Sequence, residues 1–209
     1  MKKLILIFLF LPFLGLSQDS TQEMYKKGVD TAQYIPKGLT IGDQAPEIIA
    51  KSIDGRIINS AEILKDKNIV VLFYRGKWCP YCQKQLSNLN DSLKYITEKN
   101  AEIIVIGPEN FENAEKTVDK TKADFILIPD TSMQLLKAFD VLFYVTKKYQ
   151  AKINTLLFTD IAKNNGQKEA RLPVPAAYII GKDGVIIWRY FNYDYTQRAS
   201  AREIIDHLK

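Results

Sequence analysis

A chain of 209 residues, 46% hydrophobic and 25% charged, has the length of one domain with appendages and the composition of an ordinary globular protein. Its net charge of +5 falls to +3 without Lys2 and Lys3, which lie in an N-terminal segment expected to be removed, leaving 27 basic residues against 24 acidic ones. The surplus is small and no Lys/Arg run forms a stripe, which argues against nucleic acid as a partner.

Residues 1–17 have the parts of a secretory signal: a basic start, an apolar run from Leu4 to Leu14, and small residues at Gly15 and Ser17. The run is shorter than the ~20 apolar residues of a spanning helix, Pro12 interrupts it, and no cysteine follows for lipid attachment. The expectation is export, to the periplasm in a Gram-negative cell, with no stable membrane span after signal removal; anchoring by an uncleaved N-terminal helix is the alternative. Residues 18–37 are polar and weakly periodic and read as a linker. The ordered domain is expected over 38–209. Asp54-Gly55 between Ile48–Ile53 and Arg56–Ile58 signals a hairpin. Ser60 to Leu64 looks like one helical turn with Ser60 as its cap.

Next comes an unbroken apolar run, Ile69 to Tyr74, then a short turn, then Cys79-Pro80-Tyr81-Cys82, the only two cysteines in the chain. Leu86, Leu89, Leu93 and Ile96 follow at helical spacing. Ala101–Gly107 reads as a second buried strand, Asn113–Lys122 as a helix, Phe125–Ile128 as a third strand stopped by Pro129, and Ser132–Phe139 as a helix. This alternation implies an α/β fold, a mixed central sheet flanked by helices on both faces. Val141–Val145 suggests a strand. Lys147–Asn164 suggests one helix, with Ile153, Leu156, Leu157 and Ile161 on its packed face and Asn165-Gly166 at its end. Ala176–Ile180 and Val185–Tyr190 flank Gly181-Lys182-Asp183-Gly184 as an antiparallel hairpin. Arg198–Leu208 closes the chain as a helix, with His207 as a favourable charge at its end.

The cysteine pair sits where a buried strand hands over to a helix N-terminus, whose free N–H groups and dipole favour an anion. The first thiol, Cys79, is therefore expected to be acidified from ~8.5 into the range of roughly 3.5 to 7.5. Arg75 and Lys77 either tune that thiolate or belong to a solvated turn. Pro80 suits the first helical turn, where its missing N–H costs little. A zinc site would need further ligands, but His207 is the single histidine and there is no second cysteine pair, so carboxylates would have to complete the shell. A structural disulfide closing so short a loop would constrain little of the unfolded chain. A redox dithiol needs this spacing: one sulfur attacks and its neighbour displaces it.

With Gly42-Asp43-Gln44-Ala45-Pro46, Phe73–Cys82 and Leu172–Ile180 as anchors, the chain from about Gly38 onward resembles the thioredoxin fold. Within it, it resembles the peroxiredoxin-like alkyl hydroperoxide reductase/thiol-specific antioxidant family. The resemblance implies that Pro175 is a cis proline facing the cysteines and that Val174 offers backbone groups to a substrate. Trp78, Pro80 and Tyr81 would complete that groove, ordinary packing being the other role for Trp78 and Tyr81. Against the peroxiredoxin motif with Cys82 as the attacking sulfur, Arg75 replaces a proline, Cys79 replaces a threonine, and the family arginine is absent near Met133.

The expected function is a secreted thiol–disulfide oxidoreductase with Cys79 as nucleophile, Cys82 as resolving sulfur and a redox-active Cys79–Cys82 disulfide as its only prosthetic element. Its expected partners are protein dithiols or disulfides and an electron donor. Two alternatives stand beside it: a thiol peroxidase attacking peroxide with Cys82, and a non-catalytic binding module.

Overall fold

The structure, a computed structural model, describes residues 15–208, with side chains from Ser20 onward. The expected signal segment lies outside the described residues as far as residue 14. In chain order the elements are α1 (Gly15–Lys26), β1 (Ile49–Lys51), β2 (Ile57–Asn59), α2 (Ser60–Leu64), β3 (Asn68–Phe73), α3 (Pro80–Asp91), α4 (Leu93–Thr97), β4 (Ala101–Gly107) and α5 (Phe111–Thr121). They continue as β5 (Ile126–Pro129), α6 (Gln134–Ala138), β6 (Leu142–Tyr144), α7 (Lys147–Leu157), α8 (Ile161–Asn164), β7 (Arg171–Pro173), β8 (Ala176–Ile180), β9 (Ile186–Phe191) and α9 (Ala201–His207).

The central sheet has the order β5-β4-β3-β8-β9, with β5, β4 and β3 parallel and β8 and β9 antiparallel to their neighbours. β3 is central because both its faces are apolar. Val70, Leu72 and Tyr74 pack with Cys82, Leu86 and Leu89 of α3, while Ile69, Val71 and Phe73 pack with Leu136, Phe139 and Tyr178 on the other side. Each such side chain contributes about 1.5–3 kcal/mol by leaving water. Gly107, at the end of β4, lets the Tyr74 ring lie flat against the strand, since a Cβ there would stand 2.2 Å from the ring. The Asp54-Gly55 hairpin forms as β1 and β2.

Four expectations need correction. The segment read as a linker is helical to Lys26, and beyond it Val29 is buried, bridges Val145, and packs with Phe143, Tyr149 and Leu172. Two apolar residues, Met24 and Val29, are enough to dock a segment that is otherwise polar. Residues 147–164 are two helices: Phe158 takes a left-handed conformation (φ 49°) and Asp160 caps α8, so Leu156 and Leu157 face solvent while Ile153 and Ile161 are buried. Asn59, not Ser60, caps α2; Ser60 Oγ instead accepts the Ile48 N–H. The last helix begins at Ala201, because Ser200 and Glu203 form a reciprocal capping box, and Arg198 is left in the irregular segment before it. Among the described residues no helix is long and apolar enough to cross a membrane.

Candidate active site

The chain leaves β3 through Arg75-Gly76-Lys77-Trp78. Gly76 has φ 143°, where a side chain is strained, and a Cβ there would stand 2.6 Å from Trp78 Nε1. Cys79 closes the turn by donating its N–H to Gly76 O at 3.0 Å and serves as N-cap of α3, with Pro80 as the first helical residue. Both thiols are free and buried, Cys79 at 1% and Cys82 at 0% exposure.

Cys82 Sγ accepts the Arg75 N–H at 3.4 Å and Arg198 Nη2 at 3.3 Å; the same Nη2 lies 3.8 Å from Cys79 Sγ. Burial alone pushes the Cys82 thiol up. It is the largest single influence, but the hydrogen bond from Cys79, the charges of Arg198 and Arg75 and the Arg75 N–H together outweigh it and bring Cys82 down to about 5. Cys79 is driven well above its usual value, first because its proton is held in the bond to Cys82, then by burial and by the Cys82 charge; Arg75 and Arg198 oppose this. The two thiols titrate as a unit, and the anion rests on Cys82.

The expectation of an acidified Cys79 is therefore overturned. A helix N-terminus contributes about 0.3–1 kcal/mol to a nearby anion. Hydrogen bonds to a charged group contribute about 1.5–3 kcal/mol each, and those donors converge on the inner sulfur. Cys79 makes no side-chain cap bond to the helix it starts.

Arg75 is not a solvated turn residue. It is 1% exposed, its guanidinium carbon lies 4.1 Å from the Tyr195 ring centre, 5.0 Å from Trp78 and 5.3 Å from Tyr149, and Nη2 donates to Tyr149 Oη at 2.8 Å. Its Nε and Nη1 have no hydrogen-bond partner among the described residues, and the nearby thiols and the Tyr149 hydroxyl favour its charged form against burial. Lys77 acts through its backbone: its N–H donates to Glu109 Oε1 at 2.8 Å, while the cations that set the thiols are Arg75 and Arg198. Glu109 is fully buried and also accepts from Asn164 Nδ2 at 3.0 Å and Thr117 Oγ1 at 2.9 Å, so it clamps the cysteine turn to α5 and α8. Burial pushes its carboxyl up against those bonds.

Pro175 lies at the right end of the sheet, just before β8, whose Ala177 pairs with Leu72 of β3. The Val174–Pro175 bond is trans, however, and neither residue presents a groove. Both are buried; the Val174 N–H donates to Val141 O at 2.8 Å, and Pro175 O accepts from Asn192 at 3.2 Å. Pairing of β7 with β6 holds this segment, and trans is the default by about 0.5–1 kcal/mol for an X–Pro bond. Trp78 is half-buried beneath Arg75, whereas Tyr81 is exposed and meets the Tyr195 ring edge-on at 5.8 Å.

Sequence reading missed the segment 192–200, whose Arg198 contacts the sulfurs and whose Tyr195 packs against Arg75. Arg198 Nε donates to Tyr195 O at 2.9 Å, and Asp194 pairs with Lys27 at 2.7 Å, tying the segment to the N-terminal arm. Tyr193, Tyr195 and Arg198 clustered between a strand and a helix were the available signal; no spacing motif joins them to the cysteines 116 residues earlier.

A buried dithiol at a strand–helix junction of a mixed five-stranded sheet, with its thiolate held by two arginines, defines a thioredoxin-fold redox protein of the peroxiredoxin type. Residues 41–189 match the AhpC/TSA family, and the chain belongs to it. It is 31% identical over 103 residues to peroxiredoxin Bcp of Bacillus subtilis, a match covering 49% of this chain and 65% of that protein, just under two-thirds of its length. It is also 23% identical over 150 residues to the thiol-disulfide oxidoreductase ResA of Bacillus thuringiensis, covering 71% of this chain and 68% of the relative. Among solved structures, peroxidoxin BcpB of Mycobacterium tuberculosis superposes with a TM-score of 0.62 at 17% identity, covering 81% of this chain and 96% of that one. The chain is a redox enzyme of the thiol type.

Proposed function

We propose that the protein is an exported thiol peroxidase in which Cys82 attacks and Cys79 resolves, the reverse of the roles expected from the sequence. One observation carries this reading: Cys82 Sγ has no exposed surface and accepts from Arg198 Nη2 and the Arg75 N–H, donors that favour its thiolate. A bulky disulfide is poorly matched to such a sulfur, whereas a peroxide is small. Export rests on the signal-like residues 1–17.

The Cys82 thiolate attacks one peroxide oxygen; the S–O bond forms as the O–O bond breaks, and the leaving alkoxide takes the Cys79 proton. The unpartnered N–H groups of Arg198 and Arg75 supply donors for that developing charge. The Cys79 thiolate then displaces hydroxide from the Cys82 sulfenic acid, giving the disulfide, and the hydroxide leaves as water after taking a solvent proton. Thiol exchange returns the dithiol, which is where the disulfide-exchange chemistry of the motif enters.

The test is peroxide consumption by single mutants. Cys79→Ser is expected to consume one equivalent and stop with a sulfenic acid on Cys82, seen by mass spectrometry after trapping with dimedone. Cys82→Ser is expected to consume none. Peroxide turnover by Cys82→Ser, or its accumulation of mixed disulfides with partner proteins through Cys79, would overturn the assignment.

A further inference from the structure

The segment 192–200 brings Arg198 to the sulfurs, yet it is neither helix nor strand, so its shape depends on what holds it. Its internal bonds converge on one carboxylate. Asp194 Oδ1 accepts the Thr196 N–H at 3.0 Å and the Thr196 hydroxyl at 2.7 Å, and Asp194 O accepts the Gln197 N–H at 2.9 Å. Arg198 Nε closes on Tyr195 O at 2.9 Å in the same turn. Asp194 is thus the hub of the turn from which Arg198 projects.

Two ties from the N-terminal arm hold this turn in place. Tyr193 Oη donates to Pro36 O. Lys27 Nζ meets Asp194 Oδ1 at 2.7 Å and lies 5.7 Å from the Tyr195 ring centre. The Lys27 and Asp194 side chains are 27% and 32% exposed, so the pair is partly shielded from water. Burial pushes the Asp194 carboxyl up, but Lys27 and the Thr196 N–H and hydroxyl outweigh it and hold it below the usual carboxylate range. The arm is itself fixed where Lys27 leaves it: the Thr146 N–H donates to Gly28 O at 2.9 Å and the Asp30 N–H to Tyr144 O at 2.8 Å. Gly28, at φ 100°, lies against the Tyr149 ring, where a Cβ would stand 2.6 Å away. Lys27, Asp194 and Arg198 all lie outside the span that matches the family.

We propose that Lys27 is a positioning residue for the reactive sulfur: by pairing with Asp194 it fixes the turn that aims Arg198 at Cys82. The proposal deepens the peroxidase reading, in which Cys82 attacks, and makes the N-terminal arm part of the active site. The Cys82 thiolate and the Lys27–Asp194 pair both favour the same placement of the turn. Removing either one therefore weakens the other, and the coupling cannot exceed what the pair itself supplies.

The test is a double-mutant cycle in the full chain carrying Cys79→Ser, read by ultraviolet thiolate absorbance against pH. The titratable or charged groups that face Cys82 are Cys79, Tyr74 and Arg75 at the end of β3, and Arg198, so Tyr74 and Arg75 stay constant through the series. Lys27→Met is expected to raise the Cys82 midpoint by about 0.5 pH unit, roughly a threefold change in the thiol-to-thiolate ratio. That lies inside the roughly fivefold that a partly exposed ion pair supplies. Lys27→Arg should restore the midpoint. With Arg198→Met already present, Lys27→Met should change nothing, because Lys27 acts through Arg198. An unchanged midpoint in Lys27→Met would overturn the proposal. So would an equal rise with Arg198 already removed, since the Lys27 charge would then act on the sulfur directly. The titration uses no peroxide: failure of peroxide to oxidise Cys82 would defeat the peroxidase reading and leave the cycle able to decide.

Discussion

Arg198→Met, in a Cys79→Ser background, isolates the cation on Cys82. Serine keeps a hydroxyl donor beside the sulfur and leaves one thiol to titrate. At 3.3 Å the bare attraction between guanidinium and thiolate is about 5 kcal/mol at an effective dielectric constant of 20, an upper bound. Arg198 is half-buried, and water entering the space left by the guanidinium would return part of it. An opposite charge at this range typically moves a thiol by about 1–3 pH units; taking roughly 1.5, the loss is about 2 kcal/mol. Cys82 would then titrate near 6.5 rather than at about 5. The consequence depends on pH. At pH 7 the thiolate fraction falls only about 1.3-fold, whereas at pH 5.5 it falls about eightfold. Ultraviolet thiolate absorbance against pH gives the midpoint, and single-turnover peroxide consumption at the two pH values gives the rates. An unchanged midpoint would refute the claim that Arg198 sets the thiolate. A rate loss equal at both pH values would show Arg198 acting on the leaving oxygen instead.

Three further outcomes are expected. Because Cys82 is depressed from ~8.5 in the unfolded chain to about 5 in the fold, its contribution is complete above ~8.5 and is lost as pH falls through 5, by up to about 1.4 kcal/mol per pH unit. The thermal midpoint of the reduced protein should therefore drop against that of the disulfide form between pH 8 and 5, and Cys82→Ser should remove the trend. Glu109→Ala strands the Lys77 N–H, Asn164 Nδ2 and Thr117 Oγ1 and should cost about 3 kcal/mol or more in urea unfolding, while Glu109→Gln, which can still accept from the first two, should recover most of it. Phe158→Gly should stabilise by about 0.5–1 kcal/mol, since the phenylalanine is 91% exposed in a left-handed cap; an unfolding midpoint that falls would show that the ring packs in solution.

Much of the fold was legible because its signals are local. β3 is a continuous apolar run, Asp54-Gly55 is a turn dipeptide, and the leucines of α3 repeat at helical spacing, so each element announces itself within ten or so residues. The cysteine pair was legible for the same reason. The different environments of its two sulfurs were not, because they depend on where the side chain of Arg198 ends up, 116 residues from Cys82. Arg75 was visible but its environment was not: Tyr149 and Tyr195, which enclose it, come from α7 and from the segment before α9. The cis proline failed for a related reason. Pro-Val-Pro before a strand carries the resemblance, but here β7 pairs with β6 and commits the Val174 N–H to Val141.

The departures from the peroxiredoxin motif acquire a physical meaning once Arg198 is placed. An attacking thiolate needs a cation and a directed donor, and chemistry does not specify which stretch of chain supplies them. No arginine stands near Met133, and Met133 itself is buried in the core beside α6. Arg198 meets the sulfur from the opposite end of the sequence, while the strand end supplies the Arg75 N–H. On the peroxidase reading, Cys79, where the resemblance places a threonine, donates to Cys82 and can also close a disulfide, which a hydroxyl cannot. The side chain of Arg75, where the resemblance places a proline, then puts a second buried charge within reach of both sulfurs, and it donates a hydrogen bond to Tyr149 Oη. Substituting Cys79 by serine or threonine would therefore preserve the acidity of Cys82 while abolishing turnover, which separates its role as donor from its role as resolving sulfur.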